Sequence, residues 1–84
     1  MEIFIKEQGQ DLLINVIGLK PSDTIDTVKA KIQDMEGIPK SLQRLFFASV
    51  ELDNSVRIMD YNIRRSDIVE IRRPFGAGWL GMRR

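Results

Sequence analysis

The sequence predicts an α+β fold in which one α-helix packs across a sheet of four to five strands. Three stretches carry that expectation. Residues 1 to 7 alternate in the period of a strand with one buried face, residues 25 to 36 form a capped helix with an apolar stripe, and residues 68 to 73 alternate again. Such a stripe is buried only if the helix lies on the sheet.

Met1, Ile3 and Ile5 alternate with Glu2, Phe4 and Lys6, which sets the first strand at residues 1 to 7. Gln8-Gly9-Gln10-Asp11 follows as a hairpin loop, with Gly9 suited to a positive φ. The second strand, residues 12 to 19, has no clean alternation. A bulge at Ile17-Gly18 resolves it by turning Leu12, Ile14, Val16 and Leu19 inward and leaving Asn15 outside.

Thr24 is a natural N-cap, Asp23 and Asp26 suit the positive end of a helix dipole, and Ile25, Val28 and Ile32 mark one stripe. Gly37 at C′ and Pro39 beyond it end the helix near residue 36. Residues 42 to 47 read as a strand, with Leu45 and Phe47 on one face and Arg44 and Phe46 on the other. Ser49-Val50-Glu51 suffices only for a short edge strand. Ile58, Tyr61 and Ile63 read as core anchors in a loop or 3₁₀ turn, where a buried Tyr61 hydroxyl needs a partner. In the last strand Val69 and Ile71 point inward and Ile68, Glu70 and Arg72 outward. This order of elements is that of a β-grasp.

Composition narrows function. Eighty-four residues make one small domain that buries only about 60% of its unfolded surface. Without cysteine or histidine the usual thiolate, imidazole and zinc sites have no ligands, so neither an enzyme nor a cofactor is expected. No apolar run reaches the roughly 18 residues of a membrane span, and the N-terminal residues lack a signal-peptide core. A cytoplasmic or nuclear monomer is the expectation. Net charge is +1, but residues 64 to 84 carry six arginines against two acids.

Met1, Ile3, Phe4 and Lys6, Pro21-Ser22-Asp23-Thr24-Ile25, Val28 to Asp34, Glu36 to Pro39, Gln43-Arg44-Leu45, Phe47-Ala48 and Asp60-Tyr61-Asn62-Ile63 closely resemble ubiquitin. The resemblance runs to about Arg73, with a first hairpin two residues longer. It implies a mixed sheet whose first and last strands lie side by side and parallel. It also divides the chain into a ubiquitin-like domain at residues 1 to 74 and a flexible Gly/Arg-rich tail at 75 to 84.

The resemblance further implies three working surfaces. In the family's apolar patch, the central isoleucine aligns with Phe46, the histidine with Glu70 and the valine with Arg72. Arg44, Phe46, Ile68, Glu70 and Arg72 are therefore the candidate protein-binding residues, with Phe46 as an anchor ringed by charge. An unpaired charge facing an apolar receptor costs about 1 to 3 kcal/mol or more, so ordinary ubiquitin receptors should bind weakly. Lys6, Lys29 and Lys31 are candidate isopeptide acceptors, with Lys29 partly buried as in the family. The positions of the two commonest chain linkages hold Val50 and Arg65 instead.

The tail departs furthest. Arg73-Pro74-Phe75-Gly76-Ala77-Gly78 stands where the family ends in Gly-Gly, and Trp79 follows, so conjugation through Gly78 requires prior cleavage. Pro74 replaces the arginine that the family's activating enzyme reads. The leading expectation is a non-catalytic interaction module whose partners are ubiquitin receptors, proteasome subunits or ubiquitin-pathway enzymes. A modifier processed after Gly78 is the alternative, and RNA binding by the arginine-rich tail, with Phe75 and Trp79 interleaved, is a remote third.

Overall fold

The structure, a computed structural model, describes residues 1 to 72. Expectations about residues 73 to 84, including Gly78, Trp79 and the boundary of the tail, lie outside the described residues.

Five strands and one helix follow in the order β1 (Ile3–Glu7), β2 (Leu13–Val16), α1 (Ile25–Glu36), β3 (Arg44–Phe47), β4 (Val50–Glu51) and β5 (Ile68–Arg72). Short 3₁₀ turns occupy Lys40–Leu42 and Ile58–Tyr61. The sheet order is β2-β1-β5-β3-β4, with β1 and β5 parallel at its centre and the other neighbours antiparallel. This is the mixed sheet and single helix of a β-grasp.

Alternation decides the two faces of the sheet. Ile3 and Ile5 of β1, Val69 and Ile71 of β5 and Leu45 of β3 point to the helix and are buried with Ile25, Val28 and Ile32. Ile38, Leu52, Ile58 and Ile63 close the same cluster, and Tyr61 packs against it half-buried. The Tyr61 hydroxyl has the partner it needs, accepting the Asp53 N–H at 2.8 Å. Helix α1 has the expected ends: the Thr24 hydroxyl accepts from Thr27 N–H, and Gly37 is left-handed at φ 75°.

The bulge in the first hairpin is present. Pairing of Ile3 with Val16 and of Lys6 with Leu13 would set Met1 opposite Gly18 if the ladder continued unbroken. Instead Met1 bonds Leu19, its amino group donating to the Leu19 carbonyl at 2.7 Å and its carbonyl accepting the Leu19 N–H at 3.1 Å. One residue is inserted, and Gly18 carries it at φ 77°. A side chain there would meet Lys31 Nζ at 3.5 Å, an ordinary contact, so the backbone angle and not lack of room selects glycine. Ile14 and Val16 share the face of Ile3 and Ile5, and Asn15 lies outside, opposite Phe4.

Several boundaries are corrected. Leu12 does not face the core: it is 46% exposed and precedes β2, which is confined to Leu13–Val16. It lies beyond the last pair of the ladder, where none of the core cluster covers it. Leu42 is also exposed, in a 3₁₀ turn, and β3 starts at Arg44 because buried Gln43 is tied to the preceding turn. Gln43 Nε2 donates to the carbonyls of Lys29 and Ile38 at 2.9 and 3.0 Å. Met1 and Glu2 precede β1, which begins at Ile3.

Candidate interaction face of the sheet

The face turned away from α1 collects the outward residues of all five strands. Register sets Arg44 opposite Arg72, Phe46 opposite Glu70 on one side and Glu51 on the other, and Phe4 opposite Ile68. The five candidate residues Arg44, Phe46, Ile68, Glu70 and Arg72 are thus brought together. Glu51 joins them, and Lys6 lies beside Glu70.

Two arginines directly opposite one another would repel, yet each has its own acid. Arg44 Nε and Nη2 donate to the two carboxylate oxygens of Glu51 at 3.0 and 2.9 Å, a bidentate pair. Arg72 Nε donates to Glu70 Oε1 at 2.8 Å. Hydrogen bonding to Arg44 holds the Glu51 carboxyl below its ordinary pKa, and the same bond raises that of Arg44. Unlike the lone charges expected from the sequence, these groups are paired before any partner arrives.

Phe46 is the main correction. It lies on the outer face as expected, but only 7% of it is exposed, so it is not a bare aromatic anchor. The guanidinium carbons of Arg72 and Arg44 lie 3.9 and 5.2 Å from the ring centroid, within the reach of cation–π attraction. The ring is buried under charge while the core takes Leu45 on the opposite face. Ile68, 49% exposed, is the apolar side chain that the five candidates offer directly, and Phe4 and Leu13, the latter 42% exposed, lie on the same face.

Glu51 is the residue that sequence reasoning missed. The signal was present, since a tight hairpin between residues 47 and 50 sets Glu51 across from Phe46.

The lysines are not equivalent. Lys29 is buried, its Nζ donates to Asn54 Oδ1 at 2.6 Å, and desolvation lowers its pKa against the pull of Glu51, Asp26 and Asp53. Its amine is engaged by Asn54 in a surface hollow lined also by Glu51 and Asp53. Lys6 and Lys31 are half-buried, on the outer face and on α1 respectively.

Among the described residues no group of three or more acids is placed to hold a metal ion, and no helix is long and apolar enough to cross a membrane.

A five-stranded mixed sheet in the order β2-β1-β5-β3-β4, crossed by one helix, is the architecture of a ubiquitin-like domain, here with a sheet face made polar by its own ion pairs. The chain belongs to the ubiquitin family, whose model matches residues 3–73. It is 29% identical over 55 residues to the ubiquitin-like protein NEDD8 of Dictyostelium discoideum, spanning 66% of this chain and 71% of that protein. Identity to the NEDD8-like protein RUB1 of Saccharomyces cerevisiae is 34% over 47 residues, or 56% and 61% of the two chains. The AN1-type zinc finger protein 4 of Mus musculus is 31% identical over 85 residues, which span 100% of this chain but 11% of that protein. Ubiquitin-like domains interact with proteins of the ubiquitin pathway, and members of the family are in general not enzymes.

Proposed function

We propose that this chain is a non-catalytic interaction domain of the ubiquitin and proteasome system, engaging partners through Arg44, Phe46, Ile68, Glu70 and Arg72. The observation that carries the reading is the pair of guanidinium groups stacked on Phe46 and anchored by Glu51 and Glu70. Stacking and ion pairing fix the two arginines, so less side-chain entropy is lost when a partner binds. A guanidinium has five N–H donors, and these bonds use one at Arg72 and two at Arg44. The others suit carboxylates or carbonyls on a partner, and Ile68 supplies the apolar contact beside them. Receptors, proteasome subunits and pathway enzymes in the cytoplasm or nucleus are the partner class, met by a monomer.

Isothermal titration against purified ubiquitin-receptor and proteasome-subunit domains tests this. A partner should bind and lose about tenfold or more with Ile68→Ala and with Arg72→Met. Indifference of every positive partner to both variants, or no binding at all, would dismiss the reading.

The small NEDD8-like relatives favour a second reading, a modifier cleaved after Gly78 and conjugated through it. A version ending at Gly78 should then form an ATP-dependent thioester on an activating enzyme, with Lys6 and Lys31 the better-presented acceptors. The zinc-finger relative, which this chain matches over a small part of a much longer protein, supports the interaction domain instead.

A further inference from the structure

We infer that a second surface, a hollow whose lining combines the apolar Met1, Pro21, Met59 and Ile63 with Asn62 and the basic pair Arg64 and Arg65, docks an acidic protein segment carrying one apolar side chain. It is separate from the sheet face and does not rest on the function proposed for that face.

The hollow has a volume of about 390 Å³, at the small end of the ~300 to 1,000 Å³ of ligand sites. Met59, 46% exposed, lines it from the turn Ile58–Tyr61 while its neighbour Ile58 is fully buried. Its N–H donates to the Pro21 carbonyl at 3.0 Å, which ties that turn to the loop before α1 and brings Pro21 and Met59 together. A flexible, polarisable methionine on an open apolar floor adapts to varied side chains.

Charge selects the rest of the ligand. Of the arginines among the described residues, Arg44, Arg57 and Arg72 are ion-paired, with Glu51, Asp60 and Glu70. Arg64 and Arg65, both exposed, form no ion pair among the described residues. The acids nearest in the chain are engaged elsewhere: Asp60 holds Arg57, Asp67 Oδ2 accepts the Arg64 N–H at 2.8 Å, and Glu2 accepts the Ser66 hydroxyl at 3.4 Å. Two adjacent unpaired guanidinium groups therefore look for acids outside the chain.

Their loop is also set in advance. Ser66, left-handed at φ 72°, donates its N–H to the Glu2 carbonyl at 2.9 Å, and the Asp67 N–H donates to the Arg64 carbonyl at 3.0 Å. Little backbone needs ordering when a partner binds. An RNA strand would use the same charges, but the lining residues include no aromatic ring on which a base can stack. Apolar and basic lining together fit an acidic peptide with an apolar side chain.

The test follows the methionine methyl signals of the full chain by NMR while a short synthetic peptide, one leucine among aspartates and glutamates, is added. The Met1 and Met59 methyls should shift and that of Met35, which packs on the core elsewhere, should not. Arg64→Ala with Arg65→Ala should weaken binding about tenfold or more at low salt, where charges are least screened. Met59→Ser should weaken it severalfold, and Ile68→Ala, which strikes the sheet face, should leave it unchanged. Equal binding by a peptide without the leucine, unchanged binding by the double arginine variant, or tighter binding of oligouridylate at the same methyls would each overturn the proposal.

Discussion

Replacing Phe46 by leucine and Arg72 by methionine, singly and together, isolates the contact on which the outer face is built. The Arg72 guanidinium lies 3.9 Å from the ring centroid and its side chain is 35% exposed, between the fully wet and the desolvated limits. Those limits bracket a cation–π contact at roughly 0.5 to 2 kcal/mol, so a coupling energy of about 1 kcal/mol is expected. Phe46→Leu alone should cost about 1 to 2 kcal/mol, less than the ~3 to 5 of truncating a buried phenylalanine to alanine. Arg72→Met alone also breaks the bond to Glu70, but that loss occurs in both arms of the cycle and cancels. Urea unfolding followed by circular dichroism measures all four proteins, and 1 kcal/mol corresponds to about 4 to 8 °C in Tm for a domain of this size. A coupling within ~0.3 kcal/mol of zero would mean that the ring is buried by ordinary packing and that the guanidinium roof adds nothing.

Three further outcomes follow from the structure. Ala48 and Ser49 are both left-handed, at φ 51° and 67°, in the two-residue turn between β3 and β4, a conformation that favours glycine. Ser49→Gly should therefore raise stability by about 0.5 to 1 kcal/mol, read as a higher Tm. Gln43→Leu gives up two bonds to the Lys29 and Ile38 carbonyls while removing one unpartnered acceptor, Gln43 Oε1, so a net loss of about 1 to 2 kcal/mol in denaturant unfolding is expected. Folding lowers the Lys29 pKa below its ordinary value of 10.5, so between the folded and unfolded pKa the unfolded chain binds more protons. Stability of the native sequence should then rise with pH through the window ending near 10.5, relative to Lys29→Met; a constant difference between the two would contradict this.

Much of the fold was legible because its signals are local. Thr24, Ile25, Val28, Ile32 and Gly37 each specify part of α1 without reference to the rest of the chain, and Gly18 marks the bulge by its own backbone freedom. The exposure of Leu12 was not legible, since it depends on where the neighbouring elements end. The parallel pairing of β1 with β5 joins residues 64 positions apart and came only from the family resemblance. For the candidate site, alternation brought Arg44, Phe46, Ile68, Glu70 and Arg72 onto one face. It did not reveal that Phe46 lies beneath two of its neighbours, because that requires side chains of β3 and β5 to converge over the ring while Glu51 of β4 holds Arg44. Once β4 sets Glu51 beside Arg44, the face changes from an aromatic exposed among charges to a paired, ordered surface.

The outer face as the binding surface is tested most directly by a backbone-amide NMR titration of the chain with a purified ubiquitin-receptor domain. The account predicts that perturbed signals centre on Arg44, Phe46, Ile68, Glu70 and Arg72 and leave α1 quiet. A footprint centred on α1, or no perturbation with any receptor of the pathway, would contradict it.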